Sequence, residues 1–258
     1  MTYRLVALDI DGTVVDNTNS ISPAVAEAVA AARAAGLTVV LSTGRGVPGT
    51  VEVAQRLGIA DGLGVSSNGA TVFTYDPFEV VHAVTFDAAP VVRRIVEELP
   101  DVMVGVEEVG VGFRVSHPFP EGEISGRITV EPIEDLIAEP STRVVIRSPE
   151  HTAAEFAEVV DGLGLQGTNY FIGYTAWLDL APEGVSKASG LEQVCTRLGI
   201  DPAEVLAVGD GHNDVEMLRW AGRGVAMGQA PAEVREAADD VTGTVEEDGL
   251  ATELRRWL

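Results

Sequence analysis

The sequence predicts an α/β protein: a doubly wound, Rossmann-like core built on a parallel sheet, interrupted by an inserted α+β module. Three observations carry this. Short apolar runs alternate with helical stretches at both ends of the chain, the pattern of βαβ units. The middle, from residue 81 to 182, breaks that rhythm, with strand-like segments and Pro118, Pro120, Pro132 and Pro140 between them. After Pro182 the first rhythm resumes. The expected core is therefore 1–80 and 183–258, with 81–182 inserted.

Arg4 to Leu8 is a short apolar run of the kind buried in parallel sheets. Ser22-Pro23 starts a helix, with Ser as N-cap and Pro in the first turn, and Gly36 stops it. Leu37 to Leu41 is the second strand, Val51 to Leu57 the second helix closed by Gly58, and Leu63 to Ser66 the third strand. The insert holds helices over Ala89 to Leu99 and Thr152 to Leu163. Its strands are Met103 to Val106, Gly112 to Val115, Arg143 to Arg147 and Trp177 to Leu180. Beyond it come helix Lys187 to Leu198, strand Val205 to Val208, helix Asp214 to Ala221, strand Gly224 to Met227 and helix Ala232 to Ala238.

Composition narrows the partners. The 258 residues carry 17 Lys and Arg against 40 Asp and Glu, a net charge of −23, which opposes binding to nucleic acid or an anionic membrane. Lys187 is the only lysine in the chain. The lone Cys195 excludes an internal disulfide and a Cys-clustered zinc site, in keeping with a reducing, cytoplasmic compartment. Asp9 and Asp11 interrupt the apolar run a signal peptide needs, and the longest uncharged stretch is too short and polar for a membrane span.

Four segments hold the chemistry. Asp9-Ile10-Asp11-Gly12-Thr13 follows the first strand, at the end of a parallel sheet where ligands bind. The competing reading is an Asp-Gly turn with solvated acids. A second acidic group, Gly209-Asp210-Gly211-His212-Asn213-Asp214, follows another buried strand, and alone it is a Gly-rich loop before a helix. Together, Asp9, Asp11, Asp210 and Asp214 would crowd like charges that need a cation, and hard oxygen ligands suit Mg²⁺. Ser42-Thr43-Gly44-Arg45 forms a strand-to-helix turn whose hydroxyls and backbone N–H groups suit phosphate oxygens. Lys187, after Gly184-Val185-Ser186, offers a compact ammonium that reaches a phosphate where the planar fork of Arg does not fit.

In that order, with Ser67-Asn68-Gly69-Ala70 between the second and third segments and Gly224-Val-Ala-Met-Gly228 after the fourth, the motifs resemble the haloacid dehalogenase superfamily. In detail they look like its Cof-type capped phosphatases, sugar-phosphatase or phosphoglycolate phosphatase-like. His212 and Gln229 depart from the Glu and Asn many relatives carry, a difference expected to bear on substrate choice or loop packing. The resemblance implies that Asp9 is a nucleophile forming an aspartyl-phosphate and that Asp11 is the general acid and base. It implies Mg²⁺ on Asp9, the Asp11 backbone carbonyl and Asp210, with Asp214 ligating or orienting a water. Thr43, Gly44, Lys187 and Asn213 are implied as phosphate-binding residues, and the insert as a cap choosing the substrate.

The expected partner is a small-molecule phosphate ester. Tyr170, Tyr174, Trp177, Arg143 and Arg147 are polar-tipped or cationic cap residues that could face the organic group, with packing or surface roles expected for most of them. A phosphomutase using the same intermediate remains an alternative. So does a receiver-like phospho-acceptor module, although Asp11 two residues beyond the nucleophile favours turnover over storage. Since the substrate is an anion and the chain is acidic, positive potential must be built locally at the site.

Overall fold

The computed structural model describes residues 3–163, 168–172 and 176–258. In chain order the first part runs β1 (Leu5–Leu8), α1 (Pro23–Ala34), β2 (Thr38–Leu41), α2 (Val47–Arg56), β3 (Leu63–Ser66), β4 (Thr71–Thr74) and β5 (Glu79–Ala83). The middle holds α3 (Ala89–Glu98), β6 (Met103–Glu108), β7 (Gly112–Val115), β8 (Arg127–Val130), α4 (Ile133–Leu136), β9 (Val144–Arg147), α5 (Ala153–Leu163), β10 (Thr168–Ile172) and β11 (Trp177–Pro182). The last part is α6 (Lys187–Leu198), β12 (Val205–Gly209), α7 (Val215–Trp220), β13 (Arg223–Ala226), α8 (Ala232–Ala237), β14 (Asp240–Val241) and α9 (Gly249–Arg255).

The chain divides into two compact units. One comprises Met1–Gly44, Thr50–His82 and Ser186–Leu258, the other Arg45–Gly49 and Ala83–Val185.

The first unit is a parallel sheet of order β14-β13-β12-β1-β2. The chain leaves β1 toward β2 on one side and later returns through β12 on the other. β1 is thus the switch point, and it is beyond the carboxyl ends of strands at such a point that open parallel sheets bind ligands. Alternate residues of β1 serve the two faces, as the period of two requires. Val6 and Leu8 pack with Val25 and Val29 of α1 and Leu250 and Leu254 of α9. Leu5 and Ala7 pack with Leu191 and Val194 of α6 and Met217 and Leu218 of α7. Local signals place these helices. The Ser22 hydroxyl accepts the Val25 N–H to cap α1, and Gly199 closes α6 in the left-handed region.

Two expectations need correction. The second helix begins at Val47 rather than Val51, because Pro48 occupies its first turn, where the missing N–H costs nothing. The third predicted strand does not continue the parallel sheet: β3 touches β2 through one parallel bridge, Ser42 to Val65. It then folds back antiparallel onto β4, Leu63 opposite Thr74 and Ser66 opposite Thr71. The reason is the run of positive φ at Ser67, Asn68 and Gly69, which reverses the chain before any crossover helix can form.

The second unit is a six-stranded sheet of order β10-β11-β9-β6-β7-β8, largely antiparallel, with β7 and β8 parallel. Val104, Val106, Val144, Ile146, Leu178 and Leu180 face α3 and α5 on one side. On the other side, the register sets Gly105 beside Val145 and Val115, and Val145 beside Asp179.

Candidate active site

The carboxyl ends of β1, β2 and β12 converge, within the first unit, on the segments singled out by sequence. Asp9 continues β1, its N–H donating to the Val208 carbonyl of β12 at 3.0 Å. The side chain is buried, and its Oδ1 accepts from Lys187 Nζ at 2.6 Å. The same ammonium donates to Asp214 Oδ1 at 2.6 Å. Lys187 stands in the first turn of α6. Ser186 and Ser189 cap that turn reciprocally, which fixes where the lysine stem departs. Its side chain is driven into the interior, 1% exposed.

Asp214 is fully buried and engaged on both oxygens. Its Oδ2 accepts the backbone N–H of Asp210 at 3.0 Å and of Gly211 at 2.8 Å. It therefore ties the loop carrying Asp210 to the lysine. Asp210 lies against Gly12, where an added Cβ would overlap the Asp210 carboxylate. The left-handed Gly12 is thus required twice, for its φ of 84° and for this approach. The Gln229 amide donates to the Gly12 carbonyl at 2.6 Å and to Asp210 Oδ2 at 3.2 Å, and its own oxygen accepts the Val245 N–H at 3.0 Å. Gln229 binds three loops together. His212, by contrast, faces outward, its Nε2 3.2 Å from Glu233.

Carboxylate oxygens of Asp9, Asp210 and Asp214 lie within 4.8 Å of one another. Three carboxylates against one ammonium leave two negative charges, the charge of one divalent cation. Burial, then Asp214, push the Asp9 carboxyl well above the usual carboxylate range against the pull of Lys187. Burial and Asp214 likewise raise Asp210 to about 6, with the Gln229 amide opposing. Burial works against the lysine charge, but Asp214 and Asp9 outweigh it and hold the Lys187 pKa above its ordinary value. The donor set is all hard oxygen, so the residues present fit Mg²⁺. The Asp11 carboxylate is outside this group of three, and Asp11 is exposed at the turn.

On the opposite wall, Thr43 is buried and receives the Asn68 N–H on its carbonyl at 3.0 Å. Gly44 lies where an added Cβ would be 3.1 Å from Asn68 Oδ1 and 3.6 Å from Asn213 Nδ2. Asn213 Nδ2 donates to Asn68 Oδ1 at 2.9 Å. Thr43, Gly44 and Asn213 are therefore neighbours, and Asn68, read in the sequence only as part of a motif, joins them. Asn68-Gly69 is a recognisable left-handed pair, and that was the available signal.

In the second unit, Arg143 makes a two-pronged ion pair with Asp179, Nε to Oδ1 at 2.5 Å and the terminal nitrogen to Oδ2 at 2.9 Å. Trp177 Nε1 donates to the same Oδ2 at 3.2 Å, and Arg147 pairs with Glu123. Tyr170 parts from this group. It pairs with Leu180 on the helix-covered face, and its hydroxyl donates to Asp161 of α5. Tyr174 lies outside the described residues.

Three carboxylates and one buried lysine thus gather at the switch point of a parallel sheet, where α/β enzymes bind their ligands. The haloacid dehalogenase-like hydrolase family model matches residues 6–254, and the chain belongs to that family. It is 27% identical, over 99% of its length and 96% of the relative's, to a 5-amino-6-(5-phospho-D-ribitylamino)uracil phosphatase of Bacillus subtilis. It is 30% identical to a phosphoglycolate phosphatase of Natronomonas pharaonis, covering 97% of this chain and 96% of the relative. The structure of a haloacid dehalogenase-like hydrolase from Bacteroides thetaiotaomicron superposes with a TM-score of 0.84 at 27% identity, covering 100% of both chains. A subclass IIB sugar phosphatase superposes with a TM-score of 0.83 at 27% identity, over 98% of each chain. No helix among the described residues is long and apolar enough to cross a membrane.

Proposed function

We propose that this phosphatase hydrolyses a small phosphorylated metabolite, a sugar phosphate or phosphoglycolate-like ester, through an aspartyl-phosphate on Asp9, with Mg²⁺ as its cation. The observation that carries the reading is the pairing of Asp9 with buried Lys187 beside Asp210, at the switch point of the sheet. The names of the relatives supply the substrate range.

The Asp9 carboxylate attacks phosphorus and the bond to the ester oxygen breaks, while Asp11 gives that oxygen a proton. Asp11 then takes a proton from water as the water attacks phosphorus, which frees Asp9 and inorganic phosphate. Lys187, Thr43, Gly44 and Asn213 hold the phosphoryl oxygens. Such transfers depend mainly on positioning and charge neutralisation. Asp9, Asp210 and the Asp11 carbonyl hold the cation, and Asp214 orients Lys187 and the Asp210 loop beside it. Bound there, Mg²⁺ neutralises charge on the nucleophile and the transferring group. The unit spanning 83–185 selects the organic group, with Arg143 and Trp177 on the face of its sheet away from α3 and α5.

Asp9→Asn tests the reading. It should abolish Mg²⁺-dependent turnover of p-nitrophenyl phosphate without lowering the melting temperature; undiminished turnover overturns the assignment. Release of one inorganic phosphate per ester consumed separates hydrolysis from a mutase. A panel of phosphomonoesters then identifies the substrate.

A further inference from the structure

The turn that ends β3 is unusual in its backbone. Ser67, Asn68 and Gly69 follow one another at φ of 54°, 53° and 99°. Two consecutive non-glycine residues in the left-handed region are unfavourable, and such strain persists only where surrounding contacts over-determine it. Here the turn is buried, with Ser67 and Asn68 at 0% and 2% exposure. It also touches each segment on the phosphate side of the site. The Asn68 N–H holds the Thr43 carbonyl. Gly69 packs so tightly on Ser186, beside Lys187, that a Cβ there would overlap the Ser186 carbonyl. Asn68 Oδ1 accepts from Asn213 Nδ2, 145 residues away in sequence.

We infer that Asn68 is a positioning residue for phosphoryl transfer, fixing the Asn213 carboxamide and the Thr43-Gly44 backbone in the arrangement that grips phosphate. The inference rests on the phosphatase reading above. A primary amide has two N–H donors. Asn68 engages one of those of Asn213, which fixes the amide plane and keeps the second for a phosphate oxygen. Asn is the side chain suited to this post. It tolerates the left-handed backbone that reverses the chain and presents an acceptor to Asn213 from the same residue.

The test uses the full-length protein with inorganic phosphate as the probe. Asn68→Gly keeps the backbone conformation and removes the acceptor, so the fold is expected to persist, with a melting temperature within about 2 °C of wild type. Loss of one positioned hydrogen bond should weaken phosphate binding about tenfold by calorimetry, and kcat/KM with it. In an Asn213→Ala background the same replacement should change phosphate affinity by less than about twofold, because the partner is gone. The readout that a merely structural turn would not move is hydrogen exchange of the Asn213 side-chain amide. Exchange should be slow in the wild type and in Asn68→Asp, which keeps an acceptor oxygen, and fast in Asn68→Gly.

Equal exchange in the wild type and Asn68→Gly overturns the proposal. So does an undiminished effect on phosphate affinity in the Asn213→Ala background. Wild-type protein that binds phosphate but releases none from esters overturns the hydrolase reading alone; protein that does neither overturns both.

Discussion

Lys187 Nζ sits 2.6 Å from Asp9 Oδ1, with the lysine side chain 1% and the aspartate 6% exposed. An ion pair this dry must be completed by further partners, since each charge has lost its water. Asp214 completes the lysine side at the same distance. The space between the two acids is matched to a single nitrogen.

Lys187→Arg keeps the charge and enlarges the group. We expect kcat/KM on p-nitrophenyl phosphate to fall by about 100-fold, since the planar fork cannot sit between both carboxylates. Denaturant unfolding should show a loss of about 1–3 kcal/mol from overpacking. Wild-type kinetics would return the lysine to a purely structural role.

Without metal, stability should decline as pH rises through about 6. Asp210 binds its proton more tightly folded, at about 6, than unfolded, at about 3.9. The folded state is therefore favoured below the unfolded value and loses that advantage as the folded carboxyl ionises. The expected loss between pH 4 and pH 7 is on the order of 1–2 kcal/mol. Melting temperatures in a chelator across this range measure it. Asp210→Asn should flatten the trend, and saturating Mg²⁺ should remove it by favouring the ionised form.

Gln229→Ala removes the amide joining Gly12, Asp210 and Val245. The apparent Mg²⁺ affinity, read by titration calorimetry, should weaken roughly tenfold, the usual consequence of losing a ligand's outer partner. Phosphate affinity should change much less. An unaltered Mg²⁺ affinity would leave Gln229 as loop packing alone.

Glu253 provides a control away from the chemistry. It is fully buried and accepts Arg223 Nε at 2.8 Å, an Arg256 terminal nitrogen at 2.8 Å and Trp257 Nε1 at 3.0 Å. Glu253→Ala leaves the half-buried Arg223 short of a partner and should cost about 3–5 kcal/mol in unfolding measurements. kcat/KM at a temperature where the variant is folded should stay within about twofold of wild type.

The parts of the site that sequence reveals are those whose meaning lies in local order. Asp9 and Asp210 follow apolar runs that must be central strands, and the solitary Lys187 stands at a helix start. Asn68 was less legible, because its role depends on a contact with Asn213 that only the fold creates. The same turn explains why β3, found at the expected residues, pairs antiparallel with β4, since an apolar four-residue run reads alike in parallel and antiparallel sheets. Pairings such as Arg143 with Asp179 depend on a register across strands far apart in the chain, which hydropathy patterning does not encode. The helix-facing position of Tyr170 is set by strand alternation through its pairing with Leu180.

The second unit ends at Val185 and the first resumes at Ser186, one residue before the lysine that touches Asp9. The Ser186–Ser189 box and the close seat of Gly69 register the helix start independently of what precedes it. Changes of length between Ala83 and Val185 are therefore expected to leave the ammonium in place, since Ser186, Ser189 and Gly69 all lie in the first unit.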